Sequence, residues 1–158
     1  MNRYSHLFIP VFVIAALLLI GCDKNRVFEQ NKEVEGGLWN SGVKLSFETT
    51  ITDTVTPHNV FINVRNASDY PYSNLYLFVN THYPNGTVSR DTVNCILQNE
   101  KGEWMGEGLG DLWDNRILFK PKVIFKQAGK YIFELEQAMR IDKLPMITDA
   151  GIRIEKEQ

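Results

Sequence analysis

Leu19-Ile20-Gly21-Cys22 holds the side chain best placed for covalent chemistry. A cysteine thiol can carry a thioether-linked diacylglycerol, which a serine hydroxyl cannot, and the small Gly21 lets a peptidase approach the backbone just before it. The second thiol is different. Cys95 lies in Thr92-Val93-Asn94-Cys95-Ile96-Leu97, alternating with polar Asn94, and reads as a small buried hydrophobe. With Cys22 taken up by lipid, no intramolecular disulfide is left. His58 and His82 lack Cys, His or acidic partners at zinc spacing. No Gly-x-Ser-x-Gly elbow surrounds a serine, and no loop has the calcium spacing of an EF-hand. Asp111, Asp114 and Asn115 suit a calcium ion in their donor atoms, but turn formation explains them equally well. The residues therefore point to no catalytic group, no resident metal and no cofactor.

Two segments have the composition of recognition surfaces. In Trp104-Met105-Gly106-Glu107-Gly108-Leu109-Gly110, an extended backbone puts Trp104, Gly106, Gly108 and Gly110 on one face. A face without side chains beside an indole admits a flat ligand or the packing of an opposite sheet. No helical pattern follows these glycines, so they do not form a phosphate-binding turn. The second segment is Tyr70-Pro71-Tyr72-Ser73-Asn74-Leu75-Tyr76, where Tyr70, Tyr72 and Tyr76 would either be exposed for recognition or pack their own loop.

The elements that must position these residues fall into three stretches. Residues 1–21 have the form of a secretory signal: Arg3, then an apolar run from Leu7 to Ile20 broken only by Pro10, shorter than the roughly 20 residues a spanning helix needs. The run ends in a box that resembles the one at which bacterial lipoproteins are cleaved and lipidated, so the expected lipid attachment site is Cys22, with two or three acyl chains holding the protein on a membrane. Residues 22–38 are polar and charged and read as a lipidated tether, with a reach of about 20–25 Å if flexible. Residues 39–158 form the expected single domain.

Within that domain the hydrophobic period is two. Val43, Leu45, Phe47, Thr49 and Ile51 alternate with polar residues, as do Val60, Ile62 and Val64, and a central strand is expected over Leu75–Val79. Pro84-Asn85-Gly86 marks a hairpin, because Asn-Gly tolerates positive φ. The return strand runs over 87–97 and a turn follows at 99–102. Ile117–Phe119 and Val123–Phe125 read as two short strands separated by Pro121. Tyr131–Leu135 forms another, Leu144–Ile147 is irregular, and Ile152 and Ile154 form the last, with Arg153 and Glu155 on its other face. This spacing, without an amphipathic helix, gives an all-β chain: an antiparallel β-sandwich of the jelly-roll kind. Of its 158 residues, 44% are hydrophobic and 11% aromatic, which excludes a disordered chain, and the formal charge of −2 gives no basic face for nucleic acid.

Several blocks together resemble the GldH family of gliding-motility lipoproteins of the Bacteroidota. They are the box at Cys22, Asn25-Arg26-Val27-Phe28-Glu29, the Tyr70–Tyr76 and Trp104–Asp111 segments, Gln137-Ala138-Met139-Arg140 and the tail Asp149–Lys156. The resemblance implies a lipid-anchored envelope protein needed for surface gliding, with other envelope proteins of the motility and secretion apparatus as partners. It implies no catalytic activity and, beyond Cys22, no established binding residue. It favours the outer membrane and leaves the periplasmic or surface side open. A lipid-anchored, glycan-binding sandwich, with polysaccharide as partner, is the alternative that Trp104 and its glycines support.

Overall fold

The computed structural model describes residues 23–157; the expected signal peptide and Cys22 lie outside them. Eleven strands succeed one another: β1 Arg26–Glu33, β2 Leu38–Asn40, β3 Lys44–Ile51, β4 His58–Ala67, β5 Asn74–His82, β6 Val88–Ile96, β7 Glu107–Leu109, β8 Leu112–Val123, β9 Gly129–Gln137, β10 Lys143–Pro145 and β11 Ile147–Lys156. One sheet has the order β1-β11-β4-β8-β7 and the other β3-β9-β5-β6, while β2 and β10 form a separate short ladder. Every named pairing is antiparallel. From β1 through β3, β4, β5, β6, β8 and β9 to β11, the chain crosses between sheets at each step except the β5–β6 hairpin. That is the jelly-roll order, and the fold is the all-β sandwich that the period-two pattern requires.

The core lies where the two sheets face each other. Val60, Ile62 and Val64 of β4, with Ile152 and Ile154 of β11, meet Phe47 of β3, Leu77 and Val79 of β5 and Phe133 and Leu135 of β9. Each set occupies alternate positions, so one pleated face of every strand is apolar. Cys95 is buried among them, and burial pushes its thiol up to about 12. Trp39 closes one end of the core and donates its indole N–H to the Val43 carbonyl at 2.9 Å.

Three expectations are corrected. Of the expected tether, residues 23–38 are not free: β1 is an edge strand paired with β11 from Arg26 to Glu33, and Val34 is buried. Its sequence hid this, because an edge strand of charged residues pairs through its backbone and contributes little beyond Phe28 to the core. Residues 117–119 and 123–125 are not two strands. β8 is continuous from 112 to 123, through Pro121. Beyond residue 114 only β4 pairs with it, and the register slips between Lys120 and Val123, so Pro121 sits at an irregularity of an edge strand, where proline is tolerated. Residues 144–147 hold the end of β10 and the start of β11, and the irregularity expected there narrows to Met146 between them, at φ +64°.

The jelly roll has two ends. One gathers Asp23, the loop 52–57, the turn 83–87 and the loop 124–128. The other gathers residues 34–43, 68–73, 97–111 and 138–146.

Candidate functional site

At the first end, the chain is fixed from its first described residue. Arg153 of β11 points away from the core, yet its side chain is only 5% exposed, because Asp23, Glu29 and Glu155 surround its guanidinium and all three accept from it. Glu29 also accepts from Asn63 at 3.1 Å. The hydrogen bond from Arg153 holds the Asp23 carboxyl below the usual carboxylate range. At Glu29 burial works in the opposite direction, but the bonds from Arg153 prevail and its carboxyl is lowered as well. Backbone bonds complete the clamp. Lys156 N–H donates to the Asn25 carbonyl at 2.8 Å, and Arg26 N–H to the Asp23 carbonyl at 3.3 Å.

The opposite end carries the aromatic residues. Tyr70 is buried and donates its hydroxyl to the Asn74 carbonyl at 2.9 Å, closing its own loop. Burial drives that phenol far above its ordinary range. Its ring meets Tyr72 edge-on at 5.6 Å and tilts against Trp104 at 6.5 Å. Trp104 stacks on Trp113 of β8, with centroids 6.3 Å apart and planes 25° apart. Trp113 in turn donates its indole N–H to the Ser68 hydroxyl at 3.0 Å. The four rings thus form one chain across the loops between β4 and β5 and between β6 and β8.

The glycines beside them are not an open face. Gly108 is paired with Trp113, and a Cβ on it would sit 2.8 Å from the indole. Gly106 lies against the Asp114 carbonyl and the Asn115 amide, at 2.6 and 2.7 Å from a would-be Cβ. Gly110, at φ +63°, reverses the chain into β8. The neighbouring strand, rather than the opposite sheet, therefore fills the space at Gly106 and Gly108, whereas nothing lies within 4 Å of a Cβ on Gly110. Asp114 and Asn115 are likewise engaged. The first accepts from Arg65 at 2.6 Å, and the second donates to the Val64 carbonyl and Asn66 at 3.2 and 2.9 Å. Among the described residues no three His, Cys, Asp or Glu side chains are grouped to hold a metal.

Beside the aromatic chain lies a groove of about 490 Å³ between Tyr72, Tyr76 and the segment Ala138–Ile141. Its walls are stitched by the Tyr76 N–H approaching Met139 Sδ at 3.3 Å and by Ala138 N–H donating to the Tyr76 carbonyl at 2.8 Å. Tyr76 is 41% exposed, and Leu109, at 79%, and Met105, at 62%, stand out from the same end. A second, polar trough of about 460 Å³ crosses the outer face of the five-stranded sheet, lined by Asn31, Asn63, Arg65, Asp114 and Arg116 and roofed by Met105.

The family model of the GldH lipoprotein matches residues 26–154, a span from the first strand to the last. The chain belongs to the GldH lipoprotein family. A gliding motility lipoprotein GldH homolog of Christiangramia forsetii is 36% identical over 153 residues, covering 92% of this chain and 93% of that relative. The gliding motility lipoprotein GldH of Flavobacterium johnsoniae is 35% identical over 154 residues, covering 93% and 95% respectively. Among solved structures, the VP2 subviral particle of infectious bursal disease virus shares 13% identity at a TM-score of 0.40, covering 85% of this chain. This chain spans 33% of the VP2 chain, and the likeness is too slight to bear on function.

The candidate residues of this GldH-family chain share one location. Tyr70, Tyr72, Tyr76, Trp104, Gly106, Gly108 and Gly110 all fall at one end of the sandwich. They differ in role: Tyr70 is core, Tyr72 and Tyr76 line a groove, Gly106 and Gly108 accommodate neighbours, and Gly110 turns the chain. Trp113, Ser68 and Met139 were missed. The clue to Trp113 was its spacing, since a hairpin at Gly110-Asp111 puts residue 113 opposite residue 108.

Proposed function

We propose that this chain is a non-enzymatic lipoprotein, anchored through Cys22 in the outer membrane of the cell envelope, that serves gliding motility as an interaction module for other envelope proteins. The anchor rests on Leu19-Ile20-Gly21-Cys22 and on membership of a lipoprotein family. Gliding motility rests on the names of the relatives. The observation that carries the interaction role is polarity along the sandwich. Residue 23 is fixed at one end, while the groove of Tyr72, Tyr76 and Met139 and the exposed Met105 and Leu109 lie at the other. An anchored domain built this way presents apolar and aromatic side chains away from its lipid, the composition that fully buried interface centres favour.

A photo-crosslinker at residue 76 in the native cell tests this. Capture of a defined envelope protein, lost when Met139 is replaced by Asp, is the expected result. Equal labelling from residue 76 and from the side of the sandwich at residue 48 would refute it. A glycan ligand is the second reading. With the glycine face filled by Trp113, it belongs to the trough of Asn31, Asn63 and Arg116, whose donors and acceptors suit sugar hydroxyls. Retention on envelope polysaccharide that Asn63→Ala abolishes would favour it.

A further inference from the structure

We propose that the Asp23 end of the sandwich, with Val55, Ile124 and Lys126 at its tips, rests directly on the surface of the bilayer that holds the anchor. This inference depends on the lipidation of Cys22. A residue spans at most about 3.6 Å of chain, so the lipidated cysteine lies within one such step of Asp23. Asp23 is held by Arg153, and Asn25 by Lys156, both of β11. Residues 23–38 therefore lack the flexible reach expected of a tether, and a bilayer holding acyl chains on Cys22 would lie against this end.

The side chains at this end suit that position. Val55 is 80% exposed at the tip of loop 52–57. It is held there by Asp53, whose carboxylate accepts from Val55 N–H at 3.1 Å and Thr56 N–H at 2.9 Å. Ile124 is 51% exposed on the adjacent loop. Between the sheets, an apolar cleft of about 360 Å³ opens beside it among Tyr83, Phe125 and Tyr131. Charge agrees with this. Asp23 shares Arg153 with Glu29 and Glu155, to which Arg26 and Arg116 add their charges at 3.3 and 3.7 Å, while Asp53 pairs with Lys156 at 3.1 Å and Glu157 with Lys122 at 2.8 Å, so these carboxylates are compensated, and Lys24 and Lys126 are exposed beside them. Aliphatic tips flanked by lysines are what a membrane interface accepts: the apolar atoms enter the headgroup boundary and the cations meet phosphate.

The test uses the full, processed lipoprotein with one cysteine added at a time: Val55→Cys, Ile124→Cys, and Leu109→Cys at the opposite end. The Cys22 thiol is blocked by lipid and Cys95 is buried, so the new thiol alone takes an environment-sensitive fluorophore. Residue 109 lies about 30 Å away, the length of the ten-residue β4 at about 3.3 Å per residue. Each protein is reconstituted in phosphatidylethanolamine–phosphatidylglycerol vesicles containing a headgroup-nitroxide lipid, and flotation is measured on the same sample. Flotation with loss of most fluorescence at 55 and 124, and retention at 109, is expected. Flotation with all three sites quenched alike, or with 55 and 124 as bright as 109, overturns the docking while leaving the anchor intact. Protein that does not float overturns lipidation and this proposal with it.

Discussion

Gly108→Ala should cost the fold stability only while Trp113 is present. A Cβ at residue 108 would fall 2.8 Å from Cζ3 of Trp113 and 3.0 Å from Cη2, closer than real contacts allow. The indole must move, and two interactions hold it: the 3.0 Å hydrogen bond to Ser68 and the stack on Trp104. Losing a hydrogen bond of about 1 kcal/mol and an aromatic pair of about 0.5–1.5 kcal/mol outweighs the ~0.4–1 kcal/mol that alanine gains over glycine in the unfolded chain. The net expectation is a loss of about 1–2 kcal/mol. In a Trp113→Ala background the collision is gone, and the same substitution should be neutral or stabilise by ~0.4–1 kcal/mol. Urea denaturation of the four proteins of the cycle, with tryptophan emission as a second probe, measures the coupling. Additive effects, or a Gly108→Ala protein with unchanged emission and stability, would refute the account of the glycine as space for the ring.

Cys22→Ser should leave the protein uncleaved or released, as fractionation of cells would show; a processed, membrane-bound variant would defeat the lipoprotein assignment. A chain beginning at residue 23 should fold as a soluble β-protein, whereas one beginning at residue 34 exposes the pairing edge of β11 and should fail to give a cooperative denaturation transition. Arg153→Leu leaves Asp23 unpaired and Glu29 and Glu155 with only the exposed Arg26 and Arg116, and should cost about 1–3 kcal/mol. The sign of its pH dependence should also change. In the native protein, Asp23 and Glu29 titrate below their ordinary 3.8 and 4.5, so their stabilisation is present above those values and is lost as pH falls through the lowered ones. In Arg153→Leu the crowded carboxylates favour protonation, so stability should rise as pH falls toward their ordinary values from above, a range in which the native protein keeps its own. The Cys95 thiol should resist a disulfide reagent at pH 8 until denaturant is added, because it is buried and its ionisation is pushed up to about 12.

The legible parts of the fold are those where one face of a strand is buried. Leu45, Phe47 and Ile51, or Val60, Ile62 and Val64, alternate because the sheet surface demands it, and Asn85-Gly86 forms its turn because Gly86 takes φ +83°. β1 was illegible for the opposite reason. Its pairing with β11 uses main-chain groups that every sequence possesses, and its Glu29 serves Arg153 rather than solvent. Pro121 misled because proline argues against a central strand but not against an open edge. At the candidate site, aromatic density brought together residues that share one end of the molecule. It could not give the contacts, since Trp113 reaches Ser68 across 45 positions and Tyr76 approaches Met139 across 63.

The pairing of β1 with β11 also determines how the molecule would bear load. Tension between a lipid at residue 22 and a partner at the far end pulls β1 along its own axis. The hydrogen bonds of an antiparallel pair stand perpendicular to that axis, so they are sheared together rather than peeled one after another. The ion pair between Asp23 and Arg153 lies at the point where the pull enters. A strand that closes the sheet is thus also a grip on the anchor. Pulling the chain from residue 23 against residue 76 should therefore meet a single high rupture force, and weakening Arg153 should lower it before any other part of the sandwich gives way.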